Sequence, residues 1–470
     1  MAPTASSQPS HYASLHALSE GLANGNLSAA ELIEHLLGRI DRLNGKLHAF
    51  ATTYADDARW MAAAADQSFK AGHRIGPLHG IPVAVKDLID MEGRITTGGS
   101  AVWRERMSPY TATLVRRLIG AGMIVLGKTH TVEFAMGGYG TNNTMGTPWN
   151  PWDLESHRAP GGSSAGSGVA VAAGLAPCAI GTDTGGSVRL PSAWNGLTGL
   201  KTTIGRVSCH GVLPLASSLD TPGPMCRDAE DAAMLFSVIQ GPDSHDPLTL
   251  RRGPVYPMET LRNGIAGLRV GTLDAAEREQ VDAEVLDAYD AFLEQLKRLG
   301  ACLVDVSLPL SSAHMGELLG KIISVEGYSF IGHLVDDPAQ PLDNDIRPRI
   351  APGKHVSAVE YLKLLRLRLK HQRDINNLMS CADTWVTPTT TTVAPIVASI
   401  DQSTTPATFT RPINYLDWCS LALPIGYSEH GLPLSAQIAC KGGEEALALR
   451  VGYAYQQVTH WHKRHPAGLD

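Results

Sequence analysis

Apolar positions recur at helical spacing in SAAELIEHLLGRI, where Leu32, Ile33, Leu36, Leu37 and Ile40 share a face and Ser28 with Glu31 forms a capping box. A second helix is predicted over 55–70, after which Gly76, Pro77 and Gly80 punctuate the entry to IPVAVKDLI. That run is short, apolar and uninterrupted, the pattern of a strand buried on both faces, and Lys86 stands at its end. ATLVRRLIGAG reads as an amphipathic helix closed by Gly120 and Gly122, and MIVLGK as a second buried strand. Strand, helix and strand in that order imply a parallel unit.

From 137 to 168 the chain turns to Gly, Asn, Pro and Ser and reads as irregular loop, before VAVAAGLAPCAIGTDTGG resumes a helix-then-strand pattern. Beyond about residue 235 the periodicity weakens, yet GLRVGTL, DAEVLDAYDAFLEQLKRLG and ACLVDV repeat the alternation. Helical segments over 358–379, strands at DTWVTPT and LSAQIAC, and a final helix over 444–461 complete the reading. With no internal repeat and no low-complexity linker, the expectation is one α/β domain over 1–470: a central mixed, largely parallel, twisted sheet with helices on both faces.

Composition narrows the function classes. Hydrophobic residues make up 43% of the chain and charged residues 18%, enough apolar material for an extended core. The net charge of −7, with no block of like charge, gives no footprint for nucleic acid or an anionic membrane. Seven dispersed cysteines without a CxxC pair point to reduced thiols rather than a disulfide or zinc framework. The N-terminal segment lacks the basic leader and apolar stretch of a secretory signal, and the uncharged run over 159–182 is too rich in Gly and Ser for a membrane helix. A cytoplasmic protein is expected.

Three features carry chemistry. Lys86 ends an apolar strand: it either reaches solvent, pairs with Asp87, or stays buried with a lowered pKa, the state in which a lysine serves as a general base near neutral pH. APGGSSAGSGVAVAAG crowds glycines around Ser163 and Ser164 ahead of a helix, either as a flexible turn or as a cradle for a bound group; it is neither a Walker loop nor GxGxxG. In GTDTGGSVRLPS, Thr184, Gly185 and Gly186 precede Ser187 in a turn whose backbone N–H groups can converge as an oxyanion hole. An Asp183–Arg189 pair is expected to pin that turn.

Taken in order, GIPVAVKD, GGSSAGSG and GTDTGGSVRLPS closely resemble the amidase signature family, and Lys86, Ser163 and Ser187 stand at the separations that family uses. EFAMGGYGTNN and GLPLSAQIAC resemble further family segments, so the likeness runs from about Ser28 onward and is densest over 77–203, between N-terminal helices (12–70) and a more variable segment (235–380). The resemblance implies Ser187 as nucleophile, Ser163 as relay behind a cis Gly162–Ser163 peptide, and Lys86 as base. It further implies an oxyanion hole from the N–H groups of Thr184, Gly185, Gly186 and Ser187. Ala165 departs from the glycine usual in that loop, and GYGTNNT differs from commoner versions, which bears on substrate choice.

The implied reaction is hydrolysis of a small or aryl amide through an acyl-enzyme, with carbamate, anilide or ester cleavage as variants and no cofactor or metal. The alternative is a subunit of a tRNA-dependent amidotransferase that releases ammonia from glutamine. Met136, Gly137, Gly138 and Tyr139 are the first candidates for substrate contact, with 414–423 behind them, and Trp149, Trp152, Tyr415 and Trp418 either line an apolar pocket or belong to the core. Partners are expected to be limited to the small-molecule substrate, in a monomer or homodimer. A Ser-His-Asp arrangement around His130, His157 or His210 lacks a GxSxG elbow, and nothing marks Cys209 or Cys226 as activated.

Overall fold

The computed structural model describes residues 11–469, organised around a single eleven-stranded sheet. The strands are β1 (Phe50–Thr53), β2 (Pro82–Lys86), β3 (Ile124–Thr129), β4 (Ala179–Asp183), β5 (Thr198–Lys201), β6 (Thr221–Cys226), β7 (Arg269–Thr272), β8 (Cys302–Asp305), β9 (Thr384–Pro388), β10 (Cys419–Tyr427) and β11 (Pro433–Cys440). Their spatial order is β1-β3-β2-β4-β6-β5-β10-β11-β9-β7-β8. β2 runs parallel to β3 and β4, as the strand, helix and strand pattern of 82–129 requires, and β7 runs parallel to β8 and β9. Between these two parallel blocks β4, β6, β5, β10, β11 and β9 pair antiparallel, and β1 caps the edge antiparallel to β3.

β2 through β6 are buried at every residue, which is why their sequences run apolar without alternation. Helices cover both faces, as β10 makes plain. A Cβ on Gly452 would strike Leu421 and Leu423, so those leucines lie under the helix Glu445–Val458. Ser420, one residue along and therefore on the opposite face, bonds Gln437, which in turn meets Arg189 of the helix Arg189–Trp194.

The helix Ala29–Leu47 begins with the expected capping box, both of its reciprocal bonds formed, and the second helix occupies Ala55–Lys70 as read from the pattern. Other elements were hidden in the sequence. β6 reads TPGPMC, and its two prolines argue against an interior strand. It is accommodated because pairing to β5 is confined to Met225 and Cys226, beyond both prolines. Gly223 lies so close to β5 that a Cβ there would stand 2.0 Å from the Leu200 carbonyl oxygen. The helix Ser312–Val335, at 24 residues the longest described, contains Gly316, Gly320, Gly327 and Gly332 and shows little polar face, so periodicity did not reveal it. Among the described residues no helix is long and apolar enough to cross a membrane.

Candidate active site

Lys86 is the last residue of β2 and Asp183 the last of the neighbouring parallel strand β4, so both segments leave the sheet at the same edge. Outside the carboxyl ends of parallel strands is where open α/β sheets place their ligands. Lys86 is wholly buried, with Nζ 2.7 Å from Ser163 Oγ and 2.8 Å from Thr182 Oγ1. Asp87, the next residue along, points to the other face, where it accepts from Thr97 N–H and faces Lys128 Nζ at 3.6 Å. The Lys86–Asp87 pairing is therefore not formed. Burial lowers the Lys86 pKa to about 7, against the opposing pull of the Asp183 and Asp220 charges.

Ser163 follows a cis Gly162–Ser163 peptide bond and precedes the wholly buried helix Ala165–Ala172. Its carbonyl accepts from Val132 N–H at 3.2 Å and from Thr131 Oγ1 at 2.9 Å. Gly161 N–H and Gly162 N–H donate to the carbonyls of Tyr139 and Gly138, so the serine loop and the segment 136–139 are stitched together. Ser164 N–H donates to the Ser187 carbonyl at 3.3 Å, which sets the two serine-bearing segments side by side.

The turn before Ser187 is braced by a buried ionic network. Asp183 receives Arg189 Nε at 3.0 Å, Arg189 Nη2 at 3.1 Å and Asn414 Nδ2 at 2.9 Å, while Arg189 also donates to Asn414 Oδ1 and to Gln437 Oε1. Burial by itself would raise the Asp183 pKa, but the Arg189 guanidinium, with help from Lys201 and Asn414, holds the carboxyl well below the usual range. The same carboxylate accepts Gly186 N–H at 2.8 Å and Val188 N–H at 3.2 Å. Gly186 sits at φ +134, and a Cβ there would stand 2.3 Å from Thr410 Oγ1, so only glycine fits.

This corrects one expected oxyanion donor: Gly186 N–H is engaged by Asp183. The N–H groups of Thr184, Gly185 and Ser187 have no hydrogen-bond partner among the described residues, and these three residues line a cavity of about 270 Å³. Thr184 Oγ1 donates to Asp220, a buried carboxyl whose pKa burial raises to about 6.

A family model described as Amidase matches residues 31–449. The chain belongs to the amidase family. It is 37% identical to a glutamyl-tRNA(Gln) amidotransferase subunit of Chloroflexus aurantiacus, over 97% of this chain and 98% of that protein. Among solved structures it matches a protein of a vestigial complex that reveals the evolutionary origins of an s-triazine catabolic enzyme, with TM-score 0.89 and 31% identity over 95% of this chain and 98% of that one. It also matches the native peptide amidase of Stenotrophomonas maltophilia, with TM-score 0.87 and 29% identity over 99% of this chain and all of that one.

In this amidase fold Met136, Gly137 and Gly138 line the cavity with Ser187, whereas Tyr139 turns away, bonding Thr404 Oγ1 and stacking on Trp194. Tyr415 and Trp418 are core residues, and neither Trp149 nor Trp152 reaches the cavity. His157 stacks on Trp149 and His210 between Tyr110 and His245; burial lowers the His130 pKa to about 4. Among the described residues none of the three is hydrogen-bonded to Ser163 or Ser187. Cys209 is held well above its ordinary pKa by burial, so no activated thiol stands there. Arg349, Arg411 and Ile323 are among the other residues of the wall; they come from segments far along the chain with no recognisable pattern, and sequence reasoning missed them.

Proposed function

We propose that this chain cleaves the C–N bond of a small amide through an acyl-enzyme on Ser187. The observation that carries the reading is the 2.7 Å contact between Ser163 Oγ and a buried Lys86 amine whose pKa is lowered to about 7. Ser187 Oγ attacks the carbonyl carbon as its proton passes by way of Ser163 to Lys86. The oxyanion that forms is met by the N–H groups of Thr184, Gly185 and Ser187, which have no partner among the described residues. Collapse breaks the C–N bond, the relay returns the proton to the departing nitrogen, and water then cleaves the Ser187 ester. Asp183 and Arg189 serve as support, holding the turn in shape. The 270 Å³ cavity suits a compact substrate.

A second reading rests on the near-full-length likeness to a subunit of an amidotransferase. In it the same step releases ammonia from glutamine inside a tRNA-dependent assembly, and the chain works only with its partners. One experiment tests both. The purified chain is offered glutamine and a panel of aliphatic amides, anilides, carbamates and esters, with products followed by mass spectrometry. Turnover by the chain alone that disappears in Ser187→Ala supports the free hydrolase. Turnover undiminished in that variant overturns the mechanism.

A further inference from the structure

Two guanidinium groups share the cavity with Ser187, and neither is in an ion pair among the described residues. Arg349 Nη1 donates to the Met136 carbonyl at 2.9 Å, and its Nη2 to the Gln402 carbonyl and side-chain oxygen. Arg411 has one long bond, Nη1 to the Gly316 carbonyl at 3.5 Å. Its stem lies against the turn before Ser187, since a Cβ on Gly185 would stand 3.5 Å from Arg411 Cγ. No aspartate or glutamate among the described residues lines the cavity.

Arg411 is an enclosed cation on which no carboxylate acts, whereas Arg349 also feels the Asp345 and Asp343 carboxylates, neither of which lines the cavity; an anion bound between the two guanidiniums recovers the cost of enclosure as charge-assisted bonds. Burial lowers the Arg411 pKa to about 10, and the neighbouring Arg349 charge pushes the same way, so the two like charges repel each other. An ammonium group would lose its hydration, meet two like charges and find no carboxylate on the wall.

We propose that the cavity accepts short amides that carry a carboxylate and no ammonium group, the carboxylate being held by Arg349 and Arg411 while the amide carbonyl lies at Ser187. This rests on the Ser187 reading and adds its substrate class. It sets glutamine apart, because glutamine brings an ammonium along with its carboxylate. A volume of 270 Å³ holds a four- or five-carbon monoamide of a dicarboxylic acid.

The test compares succinamate, butyramide and L-glutamine with the whole chain, alongside labelling of Ser187 by a neutral alkyl fluorophosphonate. The expected kcat/KM for succinamate exceeds that for butyramide by about 100-fold, and it exceeds that for glutamine as well. Arg349→Gln and Arg411→Gln each shrink the succinamate-to-butyramide ratio by about tenfold or more, chiefly through KM, while Arg→Lys at either position restores part of it. Succinate protects Ser187 from the label in the parent chain and not in either glutamine variant. Labelled Ser187 with no succinamate preference, with a preference for glutamine, or with no protection by succinate overturns the proposal. An unlabelled Ser187 with no turnover of any substrate instead overturns the hydrolase reading beneath it.

Discussion

Gly186 N–H donates to Asp183 Oδ1 at 2.8 Å, which removes it from the row of N–H groups facing the cavity and turns it into the hinge pin of that row. The carboxylate thereby fixes where Thr184, Gly185 and Ser187 point. Gly186→Ala, at φ +134 and against Thr410, is expected to cost about 100-fold or more in kcat together with lower thermal stability. Gly185→Ala meets nothing closer than 3.5 Å and should fold normally. Thermal melts and steady-state kinetics of the two variants check the contrast, and equal behaviour would contradict it.

Activity should follow deprotonation of Lys86. With a folded pKa of about 7, kcat/KM is expected to rise through that pH and level off above it, one proton being lost. A pH–rate profile measures it; a limb near 10 would mean that the amine is solvated.

The same amine carries a stability signature. Unfolded, Lys86 keeps its proton up to about pH 10.5; folded, it keeps it only to about 7, so stability rises with pH across that window. Lys86→Met is therefore expected to be inactive yet more stable at pH 7, by a few kcal/mol. Denaturant melts of both proteins at pH 7 and 10 check this, the gap narrowing at the higher pH.

Breaking the Asp183–Arg189 pair from one side leaves a charge buried alone. Arg189→Met is expected to cost about 3–5 kcal/mol. Because Arg189 holds the Asp183 carboxyl below its usual 3.8, the contribution is complete above that pH and fades as pH falls beneath it. Urea melts at pH 7 and pH 3 should show the difference between parent and variant shrinking in acid.

His157→Gln and His210→Gln should leave kcat/KM within about threefold, since these rings stack on aromatic neighbours and, among the described residues, are hydrogen-bonded to neither serine. A loss of several orders of magnitude would revive a histidine-dependent mechanism.

Where the sequence is patterned, the fold is legible in it. Lys86 at the end of an unbroken apolar run could be placed because burial on both faces leaves that signature, and the glycines around Ser163 and Ser187 mark turns that larger residues cannot make. What failed depends on direction or distance. Spacing cannot tell which way the Gly186 N–H points, nor that Tyr139 parts from Gly138 one residue later. Strand β6 hid behind two prolines whose missing donors matter only on the side where no ladder forms. Arg349 and Arg411 lie over a hundred residues past the serines, and only the folded sheet brings them to the same cavity.

Arg189 leans on Asn414 and Gln437, residues 225 and 248 positions further along the chain. A nascent chain that has not yet released residue 437 from the ribosome holds the amine and both hydroxyls, but not the brace that shapes the turn between them. The brace thus waits on residues 414 and 437, and a truncation before 437 is expected to leave the turn at Ser187 unshaped even where the earlier strands have already paired.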